Sequence, residues 1–108
     1  MIKEIKTKIE KFDENLKSLF ISMRSLIFQI EPQVEERIWA SLPSYYKGTN
    51  FIRLIPFKNY INIEATAILS YLDKLNGYKI TPKGMLRVDV DLMIPYEVLK
   101  EVFKETLK

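Results

Sequence analysis

The stretch NFIRLIPFKNYINI, residues 50–63, decides the fold because it predicts two antiparallel strands joined by a tight turn at Lys58-Asn59. Asparagine tolerates the left-handed backbone conformation that a two-residue hairpin loop requires. With that loop, alternate side chains share one face in three cross-strand pairs: Phe57 with Tyr60, Ile55 with Asn62, and Arg53 with Glu64. The other face carries the aliphatic side chains suited to a core, namely Ile52, Leu54, Ile61 and Ile63.

The preceding segment RIWASL, residues 37–42, also alternates and predicts a further strand of the same sheet. Its inward positions are Ile38, Ala40 and Leu42, and its outward positions are Arg37, Trp39 and Ser41. The chain is then expected to turn near Pro43 and again at Lys47-Gly48. The sheet therefore presents three aromatic side chains opposite its aliphatic face, those of Trp39, Phe57 and Tyr60.

Two helices are predicted before the sheet. Apolar residues recur at helical spacing from Ile2 to Phe12, which indicates an N-terminal helical extension over residues 1–12. Asp13 is suited to cap a second helix, whose apolar stripe begins at Leu16 and ends before Pro32. Ile21 and Phe28 lie off that stripe. We expect them to pack against the first helix, with another element or a partner subunit as the alternatives.

The chain after residue 63 predicts a short helix, a strand and a final helix. Thr66 is a candidate cap for the short helix, whose buried side carries Ile68, Leu69, Leu72 and Leu75, and Asn76-Gly77 closes it. The strand is GMLRVDVDL, residues 84–92, with Leu86, Val88 and Val90 facing inward. The last helix begins at Pro95. This order predicts an α+β fold, with an antiparallel sheet of about four to five strands and helices mainly on one face.

The composition excludes several kinds of catalytic and metal-binding site. A chain of 108 residues forms one domain, and its lack of cysteine and histidine excludes disulfides, thiolate nucleophiles and the usual transition-metal ligands. The three glycines are scattered, so there is no glycine-rich phosphate loop. No apolar run approaches the ~18 residues of a membrane span. We therefore expect a cytoplasmic protein that is not an enzyme.

Several stretches together resemble the YdhG-like domain family, small bacterial proteins largely of unknown function. They are EPQVEERI at residues 31–38, YKG at 46–48, PFKNYINI at 56–63, GYKITPKGMLRV at 77–88 and PYEVLKEV at 95–102. The resemblance covers the chain from about residue 10 to the C-terminus. It implies a compact α+β fold that has been likened to frataxin, and some members are regarded as intracellular iron chaperones.

Individual positions both follow and depart from the family pattern. Lys58, Lys79, Lys83 and Gly84 match it, with no chemical role implied for them. Tyr60 stands where members often carry a histidine, which removes a ligand from any metal site that the resemblance implies. The metal ligands left to this chain are carboxylates, with Asp89 and Asp91 predicted on one strand face. Iron is the one cofactor that the resemblance implies.

The aromatic sheet face is the main candidate for function, because aromatic residues and arginine are enriched at binding hot spots. The candidate binding residues are Trp39, Arg53, Phe57, Lys58, Tyr60, Lys79, Lys83 and Arg87. The sequence predicts a binding module for a protein or a small ligand. The equal alternative is that a helix, or the second subunit of a structural homodimer, covers this face.

Nucleic acid is the other alternative. The net charge of +3 and the isoelectric point near 9.1 are typical of proteins that bind nucleic acid. The lysines, however, are dispersed among acidic residues, and such a pattern is more typical of a solvated surface than of a phosphate-binding site. The sequence therefore favours other partners over nucleic acid.

Overall fold

A computed structural model describes residues 1–108 and shows a six-stranded antiparallel sheet with three helices. The sheet order is β1-β2-β3-β4-β6-β5. The strands are β1 (Glu35–Trp39), β2 (Leu42–Lys47), β3 (Asn50–Pro56), β4 (Tyr60–Glu64), β5 (Lys79–Ile80) and β6 (Leu86–Asp89). The helices are α1 (Lys3–Ile9), α2 (Glu14–Ile30) and α3 (Tyr96–Thr106). The predicted α+β class is confirmed, with slightly more strands than expected.

The β3–β4 hairpin has the predicted register. Arg53 pairs with Glu64 and Ile55 with Asn62. The Phe57 N–H donates a hydrogen bond to the Tyr60 carbonyl oxygen at 2.8 Å, which closes the loop at Lys58-Asn59. Because side chains alternate across a strand, this register separates the aliphatic residues of the hairpin from its aromatic and charged ones.

The prediction of one strand over residues 37–42 is wrong. The chain reverses at Ala40-Ser41, where φ is +49° and +67°, and Trp39 pairs directly with Leu42. Pro43, expected near a turn, lies inside β2 opposite Ile38. Two consecutive positive φ angles form a tight hairpin turn, which usually contains glycine, asparagine or aspartate. Alanine and serine carry no such signal, so this turn could not be recognised.

The helices pack on the inner face of the sheet, where the aliphatic residues lie. The fully buried residues from β3, β4 and β6 are Ile52, Leu54, Ile61, Ile63, Leu86 and Val88. The helices contribute further side chains that are at most 5% exposed, namely Ile5, Ile9, Leu16, Leu19, Phe20, Met23, Leu26, Ile27, Leu99, Val102 and Phe103. Val90 is only partly buried, because β6 ends at Asp89. None of the three helices is both long and apolar enough to span a bilayer.

Two helical predictions need correction. Phe28 packs edge-on against Tyr45 of β2, with ring centroids 5.9 Å apart, and Ile21 remains exposed. Thr66–Ser70 and Leu72–Lys74 form 3₁₀ turns instead of one α-helix. Leu69 and Leu72, expected on the buried side, are exposed, whereas Ile68 and Leu75 are buried as predicted.

Glu36 of β1 ties the helical layer to the sheet. Its carboxylate accepts hydrogen bonds from Arg24 Nε at 2.5 Å, Arg24 Nη2 at 3.1 Å and the Ile2 N–H at 2.9 Å. Burial opposes ionisation, but these hydrogen bonds and the Arg24 charge outweigh it, so the pKa of Glu36 lies below its ordinary value. Burial, then the Glu36 charge, raises the pKa of Tyr45, so that phenol stays neutral beside the carboxylate.

Candidate functional site

The candidate site is the outer face of the sheet, defined as the strand side chains turned away from the helices. All three helices contribute to the core on the inner side, and none of them covers the outer face. Trp39 is 53% exposed and Phe57 is 44% exposed there, whereas Leu54 and Ile61 of the β3–β4 hairpin are fully buried. The aromatic residues and the aliphatic core therefore lie on opposite faces, as the alternation predicts.

Arg53 forms the centre of the first aromatic group on this face. Its guanidinium carbon lies 3.9 Å from the ring centroid of Trp39 on β1 and 3.9 Å from that of Phe51. A guanidinium over an aromatic ring is attracted by the ring's negative face. Arg53 therefore fixes the indole of Trp39 in place and covers part of it, and the rest of the indole stays open to solvent.

Every nitrogen of the Arg53 guanidinium also donates a hydrogen bond. Nε donates to Ser44 Oγ at 3.1 Å, Nη1 to Glu64 Oε1 at 3.2 Å and Nη2 to Tyr46 Oη at 3.0 Å. The residue is only 6% exposed. Arg53 was predicted to contact a ligand, but the structure places it beneath the surface, where it positions the exposed rings.

Phe57, Tyr60 and Arg87 form a second group, arranged as a stack. The rings of Phe57 and Tyr60 are 4.7 Å apart and nearly parallel, at 17°. The Arg87 guanidinium carbon lies 3.7 Å from the Tyr60 ring centroid, and its Nε donates to Asp89 Oδ1 at 2.9 Å. Because β4 lies between β3 and β6, Tyr60 is the middle layer of this stack. Phe57 is the end with an exposed ring.

The three predicted lysines occupy different places. Lys58 lies in the β3–β4 turn beside Phe57, and Lys79 of β5 lies opposite Arg87 on β6. Lys83 lies in the turn that joins β5 to β6. Leu86, just after that turn, pairs with Ile63, so Lys83 is at the end of the sheet remote from Phe57. Lys58 and Lys79 are therefore placed to contact a ligand on the outer face, whereas Lys83 is not.

Each carboxylate on the outer face is paired with an arginine. Glu35 accepts from Arg37 at 2.8 Å, Glu64 from Arg53 and Asp89 from Arg87. The Arg37 hydrogen bond and charge lower the pKa of Glu35. Lys58 and Lys79 have no acidic partner within ion-pair distance. Within the strands of this face the unpaired charge is therefore positive, and Asp91, in the turn after β6, is the nearby acid without an ion-pair partner.

The predicted metal ligands do not converge. Asp89 is held by Arg87, and Asp91 lies in the turn after β6, so the two do not share a strand face as expected. No group of three or more aspartate or glutamate side chains is arranged to hold a metal ion. The outer face thus offers rings and cations but no preformed set of carboxylate ligands.

A cleft of about 870 Å3 lies beside Phe57 and was not predicted. It lies between α1 and the turns of the two hairpins, and it is lined by Lys8, Lys11, Phe12, Ile38, Phe57 and Lys58 among others. Its volume is in the range of small-molecule pockets. No sequence pattern indicates this cleft, because α1 and the hairpin turns are brought together only by tertiary packing.

Comparison with known proteins supports the fold. No protein-family model matches the chain, and no curated protein matches it. Among solved structures, the fold is similar to the crystal structure of YdhG, a DUF1801-family protein from Bacillus subtilis, with a TM-score of 0.75. The match covers 85% of this chain and 77% of YdhG at 18% identity. This similarity confirms the predicted YdhG-like fold, and at such low identity it shows the fold alone.

Proposed function

We propose that this protein is a non-enzymatic binding module of the YdhG-like family and that its outer face holds the ligand or partner. One observation carries this proposal: the sheet leaves Trp39 and Phe57 about half exposed on a face that no helix covers. Isolated exposed apolar residues are ordinary, but aromatic groups beside arginines on one face are typical of binding surfaces.

The arginine stacks support the same proposal because they hold the rings in place before anything binds. Arg53 lies against Trp39, and Arg87 backs the Tyr60–Phe57 stack. A side chain that is already ordered loses little conformational freedom on binding. The carboxylates of the face are engaged with arginines, an arrangement that suits a rigid surface better than proton transfer.

A fragment screen tests the site directly, because it does not require the natural ligand. We expect small aromatic fragments to shift the Trp39 indole N–H signal and the amide signals around Phe57 and Tyr60 in 1H–15N NMR spectra, because the exposed rings offer the contact area. The Trp39→Ala variant should lose these shifts. Ile21→Ala, which removes an exposed apolar side chain of α2, should keep them. Shifts confined to the cleft beside α1, or no shifts at all, would reject the outer face as the site.

A homodimer that buries the outer face is the alternative in which a second copy is the partner. Sedimentation at micromolar concentration distinguishes it. Self-association that Trp39→Ala abolishes would give the face a structural role, whereas a monomer leaves it available to another molecule.

The family resemblance is the only support for an iron-chaperone function. Because Asp89 is engaged by Arg87 and Asp91 lies apart from it, we expect wild type and the Asp89→Ala/Asp91→Ala double variant to take up ferrous iron equally weakly. Calorimetric titration under anaerobic conditions measures this. If wild type binds iron saturably and the double variant does not, the result would support the iron-chaperone function.

A further inference from the structure

We propose that the outer face binds single-stranded nucleic acid, with one base stacked on Trp39 and another on Phe57. This inference rests on the proposed function and names the ligand class. Dispersed lysines made nucleic acid the less favoured partner at the level of sequence. The arrangement of rings and charges on the outer face reverses that preference.

The two exposed rings provide separate stacking surfaces. Arg53 lies against the Trp39 ring and Tyr60 against the Phe57 ring, while about half of each aromatic residue remains exposed. Unpaired bases stack on aromatic side chains of a sheet because every base has a flat π-face. Bases within a duplex are already stacked on one another, so a duplex cannot use these surfaces in the same way.

The charge of the face suits phosphates. Its carboxylates are neutralised by Arg37, Arg53 and Arg87, which leaves Lys58 and Lys79 without acidic partners. Lys58 adjoins Phe57 in sequence, and Lys79 lies opposite Arg87 at the other side of the second stack. A chain of phosphates that carries the bases across this face therefore meets Lys58 and Lys79 near the second stack, while the carboxylates within the strands are already paired with arginines. Asp91, in the turn after β6, is an acidic residue at this end of the sheet that has no ion-pair partner.

The distance between the two rings favours a chain over a single small molecule. Trp39 and Phe57 are two strands apart and two residues apart along the strand direction, which puts their Cα atoms roughly 12 Å apart by the usual strand spacings. A strand rises about 3.4 Å per stacked nucleotide, so a segment of roughly four nucleotides reaches both rings. One planar ligand can occupy only one of them.

Fluorescence anisotropy with labelled oligouridylate and oligothymidylate of about eight nucleotides tests this inference at low salt. We expect wild type to bind one or both, with quenching of the Trp39 fluorescence. Trp39→Ala and Phe57→Ala should each weaken binding by about tenfold or more, because stacking is lost. Trp39→Phe and Phe57→Tyr keep a ring and should retain most affinity. Phe57→Leu keeps the apolar character without a ring and should behave like Phe57→Ala.

Salt dependence tests the phosphate contacts separately. For single strands, each phosphate contact contributes about 0.7 to the slope of log affinity against log salt concentration, so Lys58→Ala and Lys79→Ala should each reduce the slope by about that amount. Lys83→Ala is the matched control, since this lysine lies at the remote end of the sheet. Its slope should equal that of wild type.

Three results would overturn the inference: no binding of either oligonucleotide at low salt, equal affinity for a duplex of the same length, or equal losses from Lys58→Ala and Lys83→Ala. If aromatic fragments still shift the Trp39 signal while oligonucleotides fail to bind, only the nucleic-acid assignment falls and the proposed function stands. If neither binds, both fall. Oligodeoxyuridylate, which differs from oligouridylate only in lacking the 2′-hydroxyl, shows whether the ligand is RNA or DNA.

Discussion

Replacing Arg53 with alanine is expected to lower the free energy of unfolding by about 3 kcal/mol, since Arg53 is buried and its removal leaves several hydrogen-bond partners unpaired. The substitution leaves Ser44 Oγ and the Tyr46 hydroxyl without their donor and separates Glu64 from its counter-charge. It also removes the cation that lies 3.9 Å from the Trp39 ring centroid. Chemical denaturation followed by circular dichroism measures the loss, and Trp39 fluorescence reports the altered surroundings of the indole.

Arg37→Ala is the matched control, because Arg37 lies on the same face but is exposed and pairs with exposed Glu35. We expect little measurable loss of stability from it, as for most surface ion pairs. Arg53→Lys retains the charge without the planar donor fork, so it should recover only part of the stability. If Arg53→Ala were no more harmful than Arg37→Ala, Arg53 would not be the residue that organises the outer face.

Replacing Glu36 with alanine is the second substitution with a large expected effect, a loss of about 2 kcal/mol. It leaves Arg24 of α2 and the Ile2 N–H without their shared acceptor. Because Glu36 lies on β1, its removal weakens the attachment of both N-terminal helices to the edge of the sheet. Urea denaturation at neutral pH measures the effect. Glu35→Ala, at the neighbouring exposed carboxylate, is the control and should leave stability almost unchanged.

The same side chain predicts a pH dependence. The pKa of Glu36 is lower in the folded protein than its ordinary value of 4.5. The stabilisation is therefore fully present above that ordinary value and is lost as the pH falls through the folded-state pKa. We expect the gap in stability between wild type and Glu36→Gln to narrow with acidification over this range. A gap that stays constant or widens would show that ionised Glu36 is not the stabilising form.

The hairpin at residues 50–63 shows how far the sequence is informative. Its register, and the separation of Leu54 and Ile61 from Phe57 and Tyr60, follow from strand alternation and a two-residue turn. The turn at Ala40-Ser41 was missed because neither residue is typical of positive φ angles. Nevertheless Trp39 lies on the predicted face, since it precedes the turn and the alternation holds up to that point.

The sequence by itself determined the α+β class, the β3–β4 hairpin and the face on which the aromatic residues lie, because these depend on periodicity between near neighbours. Only the tertiary structure decided that Arg53 is buried beneath the rings and that a cleft forms beside α1. These features depend on which strands become neighbours and on how α1 meets the hairpin turns. Alternation and a tight turn identify the neighbour across one hairpin, but they carry no information about which strands or helices pack beside that hairpin.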